Sequence, residues 1–100
     1  MIVVRNVFQL KFGKAKDAIA LWKEGREIAR RVGGETSTPR AMTDLVGKFY
    51  TLVIENQYPS VGDMEREAEQ MRGKDEWEAW YRKFTGIVES GYREIFTVLE

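Results

Sequence analysis

The sequence predicts an α+β domain with a four-stranded antiparallel sheet and the order β-α-β-β-α-β. Three observations predict it. Ile2 to Phe12 alternates with period two, Lys14 to Val32 carries apolar or small residues at helical spacing, and Phe49 to Tyr58 is dense in aromatic and β-branched residues.

In the first stretch the even positions are Ile2, Val4, Asn6, Phe8, Leu10 and Phe12, and the odd ones are Val3, Arg5, Val7, Gln9 and Lys11. Successive side chains of a strand point to opposite faces, so this strand has one apolar face, interrupted by Asn6, and one mixed face. Gly13 turns the chain. The helix after it buries Ala18, Leu21, Trp22, Gly25, Ile28, Ala29 and Val32, and Gly33-Gly34 ends it. Gly25 on the buried stripe costs about 1 kcal/mol relative to alanine, so a close approach of helix to sheet is expected there.

Glu35 to Pro39 reads as loop, Arg40 to Val46 as a short strand, and Gly47-Lys48 as a tight connection into the strand Phe49 to Tyr58. Ser60 with Asp63 caps a second helix whose stripe is Val61, Met64, Ala68 and Met71, and Gly73 breaks it. Asp75 with Glu78 reads as a second cap before Trp77, Trp80, Tyr81 and Phe84. Thr85 to Gly91 reads as a turn, and Tyr92 to Leu99 as the last strand. The whole is the ferredoxin-like arrangement, with 1–100 as a single domain.

Composition narrows the chemistry. With no histidine and no cysteine, the commonest general base, the commonest metal ligand, thiolate nucleophiles and disulfides are all missing. Ser37, Ser60 and Ser90 have no histidine to activate them, and no phosphate-loop or nucleophile-elbow pattern occurs. The sixteen basic and sixteen acidic residues cancel, which argues against nucleic acid and anionic membrane as partners. Arg5, Asn6 and Gln9 interrupt any leader-like apolar run, and no apolar span reaches membrane length, so a cytoplasmic protein is expected. No metal and no cofactor is expected.

The sheet face away from the helices is too apolar for water. Val3 and Val7, Phe49, Thr51 and Val53, and residues of the last strand fall on it. A contiguous patch of this kind marks an interface, and its simplest cover is a second copy, giving a homodimer whose two sheets close an α+β barrel.

Val4-Arg5-Asn6-Val7-Phe8-Gln9-Leu10-Lys11 with Gly13-Lys14, then Phe49-Tyr50-Thr51-Leu52-Val53, Trp77-Glu78-Ala79-Trp80 and Ser90-Gly91-Tyr92-Arg93-Glu94-Ile95 carry a resemblance to NIPSNAP-like proteins of the dimeric α+β barrel superfamily. That resemblance implies the dimer and carries no agreed catalytic set. The first strand also resembles antibiotic-biosynthesis-type monooxygenases, which pair a strand-one asparagine with a helix tryptophan. Asn6 and Trp77 or Trp80 match those two. The histidine of the haem-degrading branch has no counterpart here.

Six residues are candidate ligand contacts. Asn6 is an amide in an apolar row, suited to orienting an oxygen-bearing substrate, with a hydrogen bond to loop backbone or a helix end as the alternative. Arg5 and Arg40 are clamps for an anionic or carbonyl-bearing molecule in a barrel lumen, with cross-strand ion pairs as the alternative. Trp77, Trp80 and Tyr50 are walls for a small aromatic molecule, with plain core as the alternative for the tryptophans. The catalytic set stays unassigned. Two roles remain open, a small-molecule-binding or interaction protein and a cofactor-independent monooxygenase-like enzyme acting on an aromatic or polyketide-type substrate.

Overall fold

Alternation in the first stretch becomes β1, Ile2–Leu10, at the centre of the sheet. The computed structural model describes residues 1–33 and 39–99. The remaining elements are α1 (Ala15–Val32), β2 (Arg40–Thr43), β3 (Thr51–Tyr58), α2 (Val61–Met71), α3 (Asp75–Thr85) and β4 (Val88–Thr97). The strands lie in the order β2-β3-β1-β4, every neighbouring pair antiparallel. This is the ferredoxin-like arrangement, with its second helix divided at Gly73, whose φ of 81° is a conformation glycine adopts readily.

The register sorts the side chains. Val4, Phe8, Leu10, Leu52 and Ile54 lie on the inner face beneath the helices, where Leu10 and Leu52 are only 1% exposed. With Ala18, Ile28, Met71, Trp80 and Phe84 they form the core. The outer face carries Val3, Arg5, Val7 and Gln9 of β1 and the residues paired with them.

Several expectations need correction. Phe12 lies beyond β1 and is 77% exposed, because the chain leaves the sheet at a register irregularity between Gln9 and Leu10. The link between β2 and β3 is longer than a tight turn. β2 stops at Thr43, β3 starts at Thr51, and Leu45 and Val46 stand in solvent at 96% and 93% exposure. Asp44 holds the two ends together, its carboxylate Oδ1 accepting from the Thr51 amide at 3.0 Å. The last strand begins at Val88, so only Gly86 and Ile87 separate it from α3. Asp75 is not a cap. Lys74 occupies that position, without a side-chain bond, whereas Ser60 does cap α2, accepting from the Asp63 amide at 3.3 Å. Gly34 and the loop from Glu35 to Thr38 lie outside the described residues.

Gly25 is small for a different reason from the one expected. A Cβ built there would stand 2.5 Å from Trp80 Cζ2, so the close approach is between α1 and α3 rather than between helix and sheet. The Trp80 indole N–H donates to the Leu21 carbonyl at 2.6 Å, and the ring stacks on Trp77 and Phe84 with centroids 4.5 and 5.3 Å away.

Candidate functional site: a cleft between the helices and the inner sheet face

An open cleft of about 1140 Å³ lies between the helices and the inner sheet face. Its floor includes Val4, Asn6, Phe8, Ile54 and Tyr58. α1 contributes Trp22 and Arg26, and α3 contributes Trp77 and Tyr81, in each case residues four apart and therefore on one helix face. The Arg26 guanidinium carbon lies 5.8 Å from the centre of the Trp22 ring, within cation–π range.

Asn6 faces this cleft from the middle of β1. Directly across the ladder stands Arg93 of β4, whose Nε donates to Asn6 Oδ1 at 2.7 Å. The amide that interrupts the apolar row is thus half of a polar pair in an aromatic-walled space. The partner is neutral. It fixes the plane of the guanidinium without cancelling its charge.

Arg5 and Arg40 are on the other side of the sheet. Both pair with Glu55 of β3, Arg40 Nη2 at 2.7 Å from Oε1 and Arg5 Nη1 at 3.8 Å from Oε2. The register lines up Arg40, Glu55, Arg5 and Glu94 as one row of alternating charge across the four strands. Both face the side where a barrel lumen is expected, and within this chain they form the cross-strand ion pairs that were the alternative to a clamp there. Tyr50 also leaves the candidate site. It sits outside β3 with φ at 58°, a left-handed conformation rare for its residue type, and its ring meets Phe12 edge-on at 4.5 Å. Gln9 braces that turn, its side-chain amide donating to the Phe49 carbonyl at 2.7 Å and the Tyr50 carbonyl at 3.2 Å. Trp77 is half-buried on the cleft wall, and Trp80 is buried behind it.

The comparison of structures places this architecture. A NIPSNAP domain protein from Burkholderia xenovorans superposes with a TM-score of 0.85 at 15% identity, over 99% of this chain and 95% of that one. A NIPSNAP family protein from Agrobacterium tumefaciens gives 0.86 at 18% identity, over 99% and 86%. The fold is that of NIPSNAP proteins. The NIPSNAP-like fold extends to antibiotic biosynthesis monooxygenases and to a cofactor-independent oxygenase from Streptomyces nogalater, the latter with a TM-score of 0.73 at 9% identity over 99% and 93%. By sequence, no family model and no curated protein matches the chain.

Arg93, Trp22 and Arg26 were not among the residues that sequence reasoning proposed for the site. Parity was the available signal for Arg93. If Glu94 takes the mixed face, Arg93 must take the face of Asn6. Trp22 was read as core because it lies on the buried stripe, and the stripe does not say where the neighbouring helix stops covering it.

The strong electrostatic pairs lie away from the cleft floor. Glu76 of α3 accepts two bonds from Arg31 of α1, at 2.6 and 2.8 Å, and that hydrogen-bonded guanidinium holds its carboxyl below the usual range. Asp63 is likewise lowered, by its hydrogen bonds from the Ser60 hydroxyl and then from Arg66.

Proposed function

We propose that the protein is a cytoplasmic homodimer that binds a small aromatic molecule in the cleft between its helices and its sheet, without a cofactor. The observation that carries the binding role is the cleft itself. A volume near 1140 Å³ walled by Trp22, Trp77 and Tyr81, with the Asn6–Arg93 pair and Asn56 on its floor and charged residues of α2 along one side, has the composition of a small-molecule site: apolar walls and placed polar groups.

The outer sheet face supports the dimer. Met42, Val53, Val7 and Tyr92 make an apolar row across all four strands, beside the charged row, and Val3 pairs with Phe96 beyond it. Tyr92 and Phe96 are 60% and 50% exposed in one chain. A second copy related by a two-fold axis would cover them. Among the described residues no helix is long and apolar enough to cross a membrane.

A thermal-shift screen with quinols and aromatic acids tests the binding role, since a ligand at 100 times its Kd adds about 2.7 kcal/mol of stability. A flat response across such a panel would sink it. Light scattering at micromolar concentration tests the dimer. Val7→Lys should turn a dimer into a monomer, because a charge buried without a partner costs about 3 kcal/mol or more, on the order of 100-fold in dissociation constant. A monomeric parent protein would overturn that half of the proposal.

A second reading is favoured by the Asn6 amide on an aromatic-walled floor and by the fold shared with a cofactor-independent oxygenase. In it, Asn6 orients an oxygen of a quinol or polyketide-type substrate that reacts with dioxygen directly. Oxygen uptake on adding a quinol, lost in Asn6→Ala, separates this reading from simple binding.

A further inference from the structure

Several arginines of this chain sit against a carboxylate. Arg5 and Arg40 share Glu55, Arg31 is clamped by Glu76, and Arg66 pairs with Asp63. Arg93 instead donates its Nε to a neutral amide, and among the described residues no carboxylate pairs with it. Its net charge is therefore undischarged. Its direction is set, because one N–H of the fork is held 2.7 Å from Asn6 Oδ1.

We infer that Arg93 is the anion-binding residue of the cleft, that Asn6 positions it, and that the ligand is a planar aromatic carboxylate. This rests on the reading of the cleft as a small-molecule site. A guanidinium offers five N–H donors in a fixed plane and binds a carboxylate through two parallel bonds. With Nε taken by Asn6, the two Nη groups at the end of the fork remain for the two oxygens. A phosphate or sulfate monoanion would meet the same donors, but Trp22, Trp77 and Tyr81 provide apolar walls that suit an aromatic ring attached to the anion.

Charge along the cleft supports the same orientation. α2 packs over β3 and brings three carboxylates, Glu65, Glu67 and Glu69, and one guanidinium, that of Arg72, to that side, a negative excess, whereas Arg93 lies on β4, at the opposite edge of the sheet. A negative group is repelled at one end and attracted at the other. The carboxylate therefore belongs at the β4 end, with the ring reaching inward between α1 and α3.

The test is calorimetric titration of the full chain with 1-hydroxy-2-naphthoate and with its neutral counterpart 1-hydroxy-2-naphthamide. A bond between a charged group and its partner is worth about 1.5–3 kcal/mol, so the carboxylate should bind the parent protein about 10- to 100-fold more tightly than the amide. Arg93→Gln should bring that ratio to about one, by weakening the carboxylate far more than the amide. Lys23→Gln, which removes a positive charge from the exposed side of α1, should keep the parent ratio. Asn6→Asp keeps the acceptor for Arg93 but supplies a countercharge, so it too should abolish the preference, an effect that a merely structural asparagine would not produce. Should Arg93→Gln fold poorly, Arg93→Lys retains the charge without the fork and should lower the ratio several-fold. Equal affinity of the two probes for the parent protein would overturn the anion assignment and leave the cleft standing. Absence of binding by both probes would overturn the cleft reading and this inference with it. A preference that survives in Arg93→Gln would overturn the role of Arg93.

Discussion

The two faces of the sheet use the same residue types for opposite ends. On the outer face Arg5 and Arg40 converge on Glu55, whose side chain is 17% exposed, so both arginines have a carboxylate beside them. On the inner face Arg93 meets, among the described residues, the neutral Asn6 amide and no carboxylate. A row of alternating charges between apolar rows is a surface that a like surface can cover at a lower desolvation cost than a lone ion would impose. A positive group held by a neutral one is a surface that still attracts an anion. The difference between a carboxylate and an amide as partner separates an assembly face from a binding face.

Three measurements can break or sharpen that comparison. The largest effect is expected from Trp80→Ala. Removing a buried tryptophan costs about 3–5 kcal/mol, and a domain of this size loses about 4–8 °C of melting temperature per kcal/mol. The stacked Trp77 loses its support in the same step, so the inner face should suffer in ligand affinity while the outer face keeps its assembly. A melting temperature within a few degrees of the parent's would show that the helix layer does not depend on this ring. Glu55→Gln comes next. It leaves Arg5 and Arg40 sharing a neutral partner, and about 1–2 kcal/mol should be lost from chain or dimer with no change in the cleft. An effect on ligand binding equal to that of Arg93→Gln would erase the distinction between the faces.

The smallest effect concerns pH. The Glu76 carboxyl is lowered in the folded chain by Arg31, so the stability it contributes is present above the unfolded glutamate's titration and is lost as pH falls through the folded value. The pair is exposed, so the effect is modest. Between about pH 5 and pH 3 the parent's melting temperature should fall slightly more steeply than that of Glu76→Gln. Parallel curves would mean that the α1–α3 bridge contributes nothing.

Much of this was legible in the residues. The alternation Ile2 to Leu10 put Asn6 and Arg5 on opposite faces, and the structure keeps them there. Gly73 and Gly33 end helices where the sequence breaks its stripes, and Ser60 caps where its spacing with Asp63 suggests. The hairpin departs from its sequence pattern because Leu45, Val46 and Phe49 have strand-forming side chains, yet they belong to a loop closed by Asp44 and Thr51 and braced by Gln9 from another strand. No local preference encodes a brace that comes from forty residues away.

The same limit governs the site. By itself the sequence determined the element types, the face on which each strand residue stands and the chemistry that is missing without histidine or cysteine, because these follow from periodicity and composition. Which arginine meets Asn6 was decided only by the tertiary structure, since that pairing spans 87 residues and depends on the register of β4 against β1. The helix layer decided the rest. Gly25 lets α3 lie against α1 through Trp80, and that contact leaves Trp22 and Trp77 as walls of a cleft rather than parts of a closed core.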